Sequence, residues 1–113
     1  MPERGGIYFV VIPADPHKRP VPVIVVSMEA RNRYGGDVLA IPLSTSPRRY
    51  PTHLELPVGE TALPHASIAK CENIHTLDKS LFEGRQPVSP RRLSEARLRQ
   101  MADLVALAMG VKR

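Results

Sequence analysis

Val21-Pro22-Val23-Ile24-Val25-Val26-Ser27, Asn32-Arg33-Tyr34-Gly35-Gly36-Asp37 and Val38-Leu39-Ala40-Ile41-Pro42-Leu43 follow one another with little between them. The first and last are β-branched apolar runs, and the middle stretch is rich in turn residues. Together they read as two strands joined by a turn. Pro22 lies near the start of its run and Pro42 near the end of its own, where a missing ladder donor matters least. Working outward, Gly6-Ile7-Tyr8-Phe9-Val10-Val11-Ile12 is another strand-like run, ended by Pro13. His53-Leu54-Glu55-Leu56 alternates polar and apolar, as a half-buried strand does, with His53 pointing outward. Ser67 to Ile74 reads as a fifth strand. Short strands joined by links containing Pro and Gly predict a small, mainly antiparallel barrel over about residues 4–88.

The C-terminal end has a different period. Ser89-Pro90 reads as an N-cap followed by proline at the first helical position. Leu93, Leu98, Met101, Leu104, Val105 and Ala108 then recur at helical spacing, and Gly110 is a terminator. The pattern predicts an amphipathic helix from Pro90 to Met109, packed on the barrel. The fold class is therefore mainly β with a C-terminal α-helix (α+β). With 113 residues and no linker-like stretch, one domain over residues 1–113 is expected.

No run approaches the ~18 apolar residues of a membrane span. The opening Met-Pro-Glu-Arg-Gly-Gly lacks the basic and apolar blocks of a secretory signal. A single cysteine, Cys71, has no partner for an internal disulfide or a zinc cage and reads as a small core residue. A reducing, cytoplasmic setting is expected. Net charge is +5, with twelve arginines among the sixteen basic residues, and the guanidinium fork suits phosphate. Between His17 and Arg49 the bases Lys18, Arg19, Arg31, Arg33, Arg48 and Arg49 face only Glu29 and Asp37, so this window holds +4 of the +5. It is a candidate phosphate-binding face, or simply a solvated basic surface. There is no Gly-rich phosphate loop, HExxH or CxxC, and the four histidines show no ligand spacing, so neither a metal site nor a cofactor is expected.

Five segments, in order, resemble one family. Arg4-Gly5-Gly6-Ile7-Tyr8-Phe9 is similar to the "RGD-[IV]-x-x" opening of MazF/PemK toxins, and Pro22–Ser27 resembles their "RP-x-[LIV]-V-[LIV]-S" strand. Ile41-Pro42-Leu43-Ser44-Thr45-Ser46 resembles "[VI]-P-[IL]-T-[ST]", and Pro51–Leu56 the strand that follows. Ser67–Lys79, ending Glu72-Asn73-Ile74-His75-Thr76-Leu77-Asp78-Lys79, resembles "S-x-[VI]-x-x-[DE]-Q-[IV]-[RK]-T-[IV]-D-K". The resemblance runs from about Arg4 to Gly110. It implies an SH3-like/CcdB-like barrel, a homodimer, and the toxin of a type II toxin–antitoxin pair. It further implies an endoribonuclease that cuts single-stranded mRNA at short sequences without a metal. A cognate antitoxin covering the RNA groove is implied as partner.

Cleavage without metal uses the 2′-OH as nucleophile. A base must take its proton, a donor must neutralise the phosphorane oxygens, and an acid must protonate the leaving 5′-oxygen. The family's pattern supplies an Arg just before the second strand's Pro and a Thr after the third strand's "P-[IL]". Here those positions hold Val21 and Ser44, with Thr45 following. Ser44 retains the hydroxyl; Val21 retains no charge. Arg19 lies two residues before Val21, and two strand residues span roughly 6.6 Å, about an Arg side chain's length. Arg19, Ser44 and Thr45 are therefore the expected catalytic set. His17, Lys18, Asn32, Arg33, Arg48, Arg49, Glu72, Asn73, His75 and Thr76 are the expected RNA-binding residues, with a strand-end salt bridge as the alternative for Glu72. Five aromatics leave little scope for base stacking, so phosphate contacts should dominate. The alternative function is a weak or inactive barrel that acts by binding, either RNA or a gyrase-like protein as in the CcdB branch.

Overall fold

The computed structural model describes residues 1–111. Six strands form one bent antiparallel sheet: β1 (Ile7–Val11), β2 (Pro20–Val25), β3 (Asp37–Ser44), β4 (His53–Leu56), β5 (Ser67–Lys70) and β6 (His75–Asp78). Their order is β1-β2-β3-β5-β4, with β6 also on β3. The eight-residue β3 organises the sheet. Its first half pairs with β6 (Val38↔Leu77), its middle with β2 (Ile24↔Ile41), and its last residues with β5 (Leu43↔Ala69). The small, mainly antiparallel barrel expected from the sequence is an open one. The strand pairs leave β1 and β4 unjoined, so the sheet coils without closing.

Successive residues of a strand point to opposite faces, and here both faces are buried. Ile7, Ile24, Ile41 and Leu43 pack with Leu98 and Met101 in one cluster; Tyr8, Val10, Val23, Val25, Val38 and Ala40 pack with Leu77 and Phe82 in the other. That double burial explains why these strands read as continuous apolar runs rather than as alternations.

Two short helices, α1 (Glu29–Tyr34) and α2 (Val58–Thr61), lie in connections, and α3 (Glu95–Ala108) closes the fold. Three local expectations change. The stretch 32–37 is only partly a turn, because α1 runs to Tyr34 before Gly35-Gly36 leads into β3. Its anchor is Asn32, fully buried, whose Nδ2 donates to the Ser27 carbonyl (3.0 Å), while Ser27 Oγ takes the Leu39 N–H (3.0 Å). The single strand expected over 67–74 is β5, then a 3-10 turn at Cys71–Asn73, with β6 beyond it. The terminal helix starts later than Pro90. Val88 and Leu93 donate backbone hydrogen bonds to Ile7 and Gly5 (2.8 and 2.9 Å), so this stretch is pinned along β1 and cannot coil. Ser94 is the N-cap, its Oγ accepting from the Arg97 N–H (3.2 Å). The helix ends as expected at Gly110. With φ +91°, Gly110 donates to Leu107 while Val111 donates to Ala106, a Schellman closure. Among the described residues no helix is long and apolar enough to cross a membrane.

Candidate functional site

A groove of about 750 Å³ opens where β1 and β2, the end of β3, and β5 with the turn after it come together. Phe9 lines it, 40% exposed despite its size. Arg19, Ser44, Thr45, Asn73 and His75 all line it. Val21 lines it as well, so the position at which the resembling pattern places an arginine borders this space. Arg19 lies just before β2, and it and Val21 line the same groove. It makes no ion pair or hydrogen bond among the described residues, which leaves the guanidinium for a ligand.

Ser44 ends β3, and its Oγ accepts the Ser46 N–H (3.0 Å). That bond uses a lone pair and leaves the hydroxyl proton for an anionic oxygen. Asp15, His65 and Lys70 line the groove too, and sequence reasoning missed all three. His65 follows Leu63-Pro64 in the link from α2 to β5, where no local pattern sets it apart. Lys70 ends β5 inside what reads as an apolar strand. With Arg19 and Lys70 against Asp15, the groove is electropositive.

The remaining expected RNA contacts lie elsewhere. Asn32 is buried and its amide is committed to Ser27, so it offers nothing to a ligand. Lys18 holds a left-handed conformation (φ 52°), and its ammonium donates to the Pro13 carbonyl (2.5 Å). The His17 N–H donates to Asp15 (3.0 Å). Arg33 is exposed on α1, and Thr76 is exposed on β6. Neither lines the groove. Arg48 donates through Nε to the His53 carbonyl (2.8 Å) and borders a different depression, beside Gln100 of α3. The basic window from 17 to 49 is thus not one face. Arg31 pairs with Asp37 (2.6 Å), and only Arg19 of that run reaches the groove.

His53 is a further correction. It does not point outward but is buried against Glu72, whose Oε2 lies 2.9 Å from Nε2. Partial burial pushes the Glu72 carboxyl up, yet hydrogen bonds from His53, from its own backbone and from Thr52 outweigh this and hold it below the usual carboxylate range. Cys71 is a core residue as expected, though in the 3-10 turn. Burial, then the neighbouring Glu72 charge, pushes its thiol up to about 12, which makes it a poor nucleophile. Among the described residues no three His, Cys, Asp or Glu converge as a metal cluster.

Residues 3–109 match the family described as PemK-like, MazF-like toxins of type II toxin–antitoxin systems. The chain belongs to the PemK/MazF family. Within that family it is 31% identical over 94 residues to the "Probable endoribonuclease MazF2" of Mycobacterium tuberculosis, which covers 82% of this chain and 88% of the relative. A mycobacterial endoribonuclease solved with its cognate antitoxin is 26% identical and superposes with a TM-score of 0.77, over 100% of this chain and 99% of that one. A MazE–MazF complex from Deinococcus radiodurans shares the fold at 16% identity, with a TM-score of 0.77 and 98% of each chain covered. This PemK/MazF chain thus shares the fold of these neighbours, and its groove is lined by the Ser44 and Thr45 hydroxyls and the Arg19 guanidinium.

Proposed function

We propose that this toxin is an endoribonuclease that cuts single-stranded mRNA at short sequences without a metal, leaving a 2′,3′-cyclic phosphate and a 5′-OH. One observation carries the reading: Arg19 shares a groove with Ser44, Thr45 and Val21. In the reaction a base takes the 2′-OH proton, the 2′-oxygen attacks the adjacent phosphorus, the P–O5′ bond breaks, and an acid delivers a proton to the leaving O5′. Arg19 stabilises the charge on the phosphorane oxygens, a task suited to a group that stays protonated. Ser44, with Thr45, holds a phosphate oxygen. Asn73 and His75 contact the nucleotides beside the scissile bond, and Lys70 adds charge along the backbone path.

The mycobacterial neighbour solved with its cognate antitoxin supports the same kind of protein partner here, and in this reading that partner covers the groove. A homodimer and a cytoplasmic site of action, where mRNA is met, complete the proposal. Val21 favours one rival, a groove that binds RNA without cutting it. A defined single-stranded RNA incubated with the protein in EDTA separates the two. Cleavage should persist in EDTA, and Arg19→Ala should slow it on the order of 100- to 1000-fold. Loss of activity in EDTA, or full activity in the Arg19→Ala, Ser44→Ala double variant, would refute the mechanism. Binding with no cut at any concentration would establish the rival.

A further inference from the structure

Outside the groove, beside the depression next to α3, one imidazole is held at both nitrogens. His53 opens β4, and its side chain is only 3% exposed. The Arg49 N–H donates to Nδ1 (3.3 Å), so Nδ1 is an acceptor and the ring proton sits on Nε2. Nε2 then donates to Oε2 of Glu72 (2.9 Å). Glu72 Oε1 takes the Thr52 hydroxyl (2.8 Å), and Tyr50 packs edge-on to the imidazole with centroids 5.1 Å apart. Arg49, Tyr50 and Thr52 belong to the connection that leaves β3 at Ser44 and Thr45. Glu72 belongs to the turn that delivers Asn73 and His75. One ring therefore ties the segment that follows Ser44 and Thr45 to the turn that leads to Asn73 and His75, all four of which line the groove.

We propose that His53 is a positioning residue for RNA cleavage, locking the two segments together and holding the Glu72 carboxylate away from the phosphate path. The inference rests on the ribonuclease reading of the groove. A carboxylate one residue from Asn73 repels phosphate if it is free to swing, and with two donors fixed on it that charge is satisfied in place. The Arg49 N–H fixes the ring's orientation, with Nδ1 accepting and Nε2 facing Glu72.

Asparagine and glutamine separate the two links. In His53→Asn the amide oxygen replaces Nδ1 and keeps Arg49, but nothing reaches Glu72. In His53→Gln the terminal amide reaches as far as Nε2 and keeps Glu72, but Arg49 loses its acceptor. Cleavage kinetics on a single-stranded RNA, thermal melts, and binding of a random-sequence 2′-O-methyl RNA pool, which lacks the nucleophile, form the test. His53→Asn should raise KM and the Kd for the pool together, by about tenfold. Adding Glu72→Gln should restore most of that loss, which a purely structural defect would not allow. His53→Gln should instead lower kcat, by about tenfold, with KM nearly unchanged. Unchanged KM and Kd in a folded His53→Asn protein, or no rescue by Glu72→Gln, would overturn the proposal. Should both His53 variants fail to fold, Thr52→Val frees one Glu72 oxygen and should weaken pool binding about threefold; unchanged binding would equally overturn it. A wild-type protein that cuts no RNA sinks the ribonuclease reading separately, while pool binding still judges His53.

Discussion

At Gly5 the backbone takes φ +83°, and a Cβ there would lie 2.9 Å from the Leu93 carbonyl oxygen. Both the left-handed conformation and the close approach exclude other residues. Gly5→Ala should therefore destabilise the protein by about 1–3 kcal/mol in urea denaturation. The Gly5-Gly6 pair is readable from sequence as a bend. That it also lets the residue 88–93 connection pass beside β1 is not, because the contact joins residues far apart in the chain. The same contrast holds for His53. Its alternation with Leu54 predicts an outward side chain, yet the strand lies against the Cys71–Asn73 turn, and a partner there makes burial affordable for a polar ring. Arg19 shows how far residue reasoning reaches. Its role is inferred from reach along a strand, and the fold places it and Val21 in one groove.

At the level of elements, α3 carries the clearest local signals and one misleading one. Its apolar spacing is right, and Leu98 and Met101 are buried where the periodicity puts them. Met101→Ala should cost about 2–5 kcal/mol by loss of contacts and a residual cavity. Ser94→Ala, which removes the cap on the Arg97 N–H, should cost about 1 kcal/mol without changing the fold, as equilibrium unfolding will show. Ser89-Pro90 carries the signals of a cap, but Ser89 Oγ takes the Arg91 N–H (3.1 Å) in a local turn. Backbone pairing of Val88 and Leu93 with the strand end overrides the helix-start pattern. The 67–74 run fails in the same way: its apolar content is real, but the chain breaks at Cys71 so that β5 and β6 can pair with different parts of β3.

Across the whole molecule, charge is spent mostly in holding surfaces together. Arg97 pairs with Glu60 (2.8 Å) and Arg4 with Glu95 (3.0 Å), and in each case the arginine's hydrogen bond holds the carboxyl below its usual value. With Glu72 also lowered, the unfolded chain binds protons more readily than the folded one as acid is added. The stability these groups contribute is complete above their ordinary value of 4.5 and is lost as pH falls through the lower folded values. The melting temperature should therefore hold from pH 7 to about 5 and fall below that, more gently in Glu60→Gln. A slope beginning near pH 6.5 would instead implicate a histidine.

Strand content, helix period and the family were determined by the sequence alone, since each is carried by local spacing or by the order of short motifs along the chain. Which charges face one another was decided only in three dimensions. Arg19, Lys70 and His65 share a groove, while Arg31, Arg48 and Asn32 turn to partners of their own, because the bend of β3 and the register of its neighbours bring distant residues together. Periodicity is a property of neighbours in the chain; a binding groove is a property of neighbours in space.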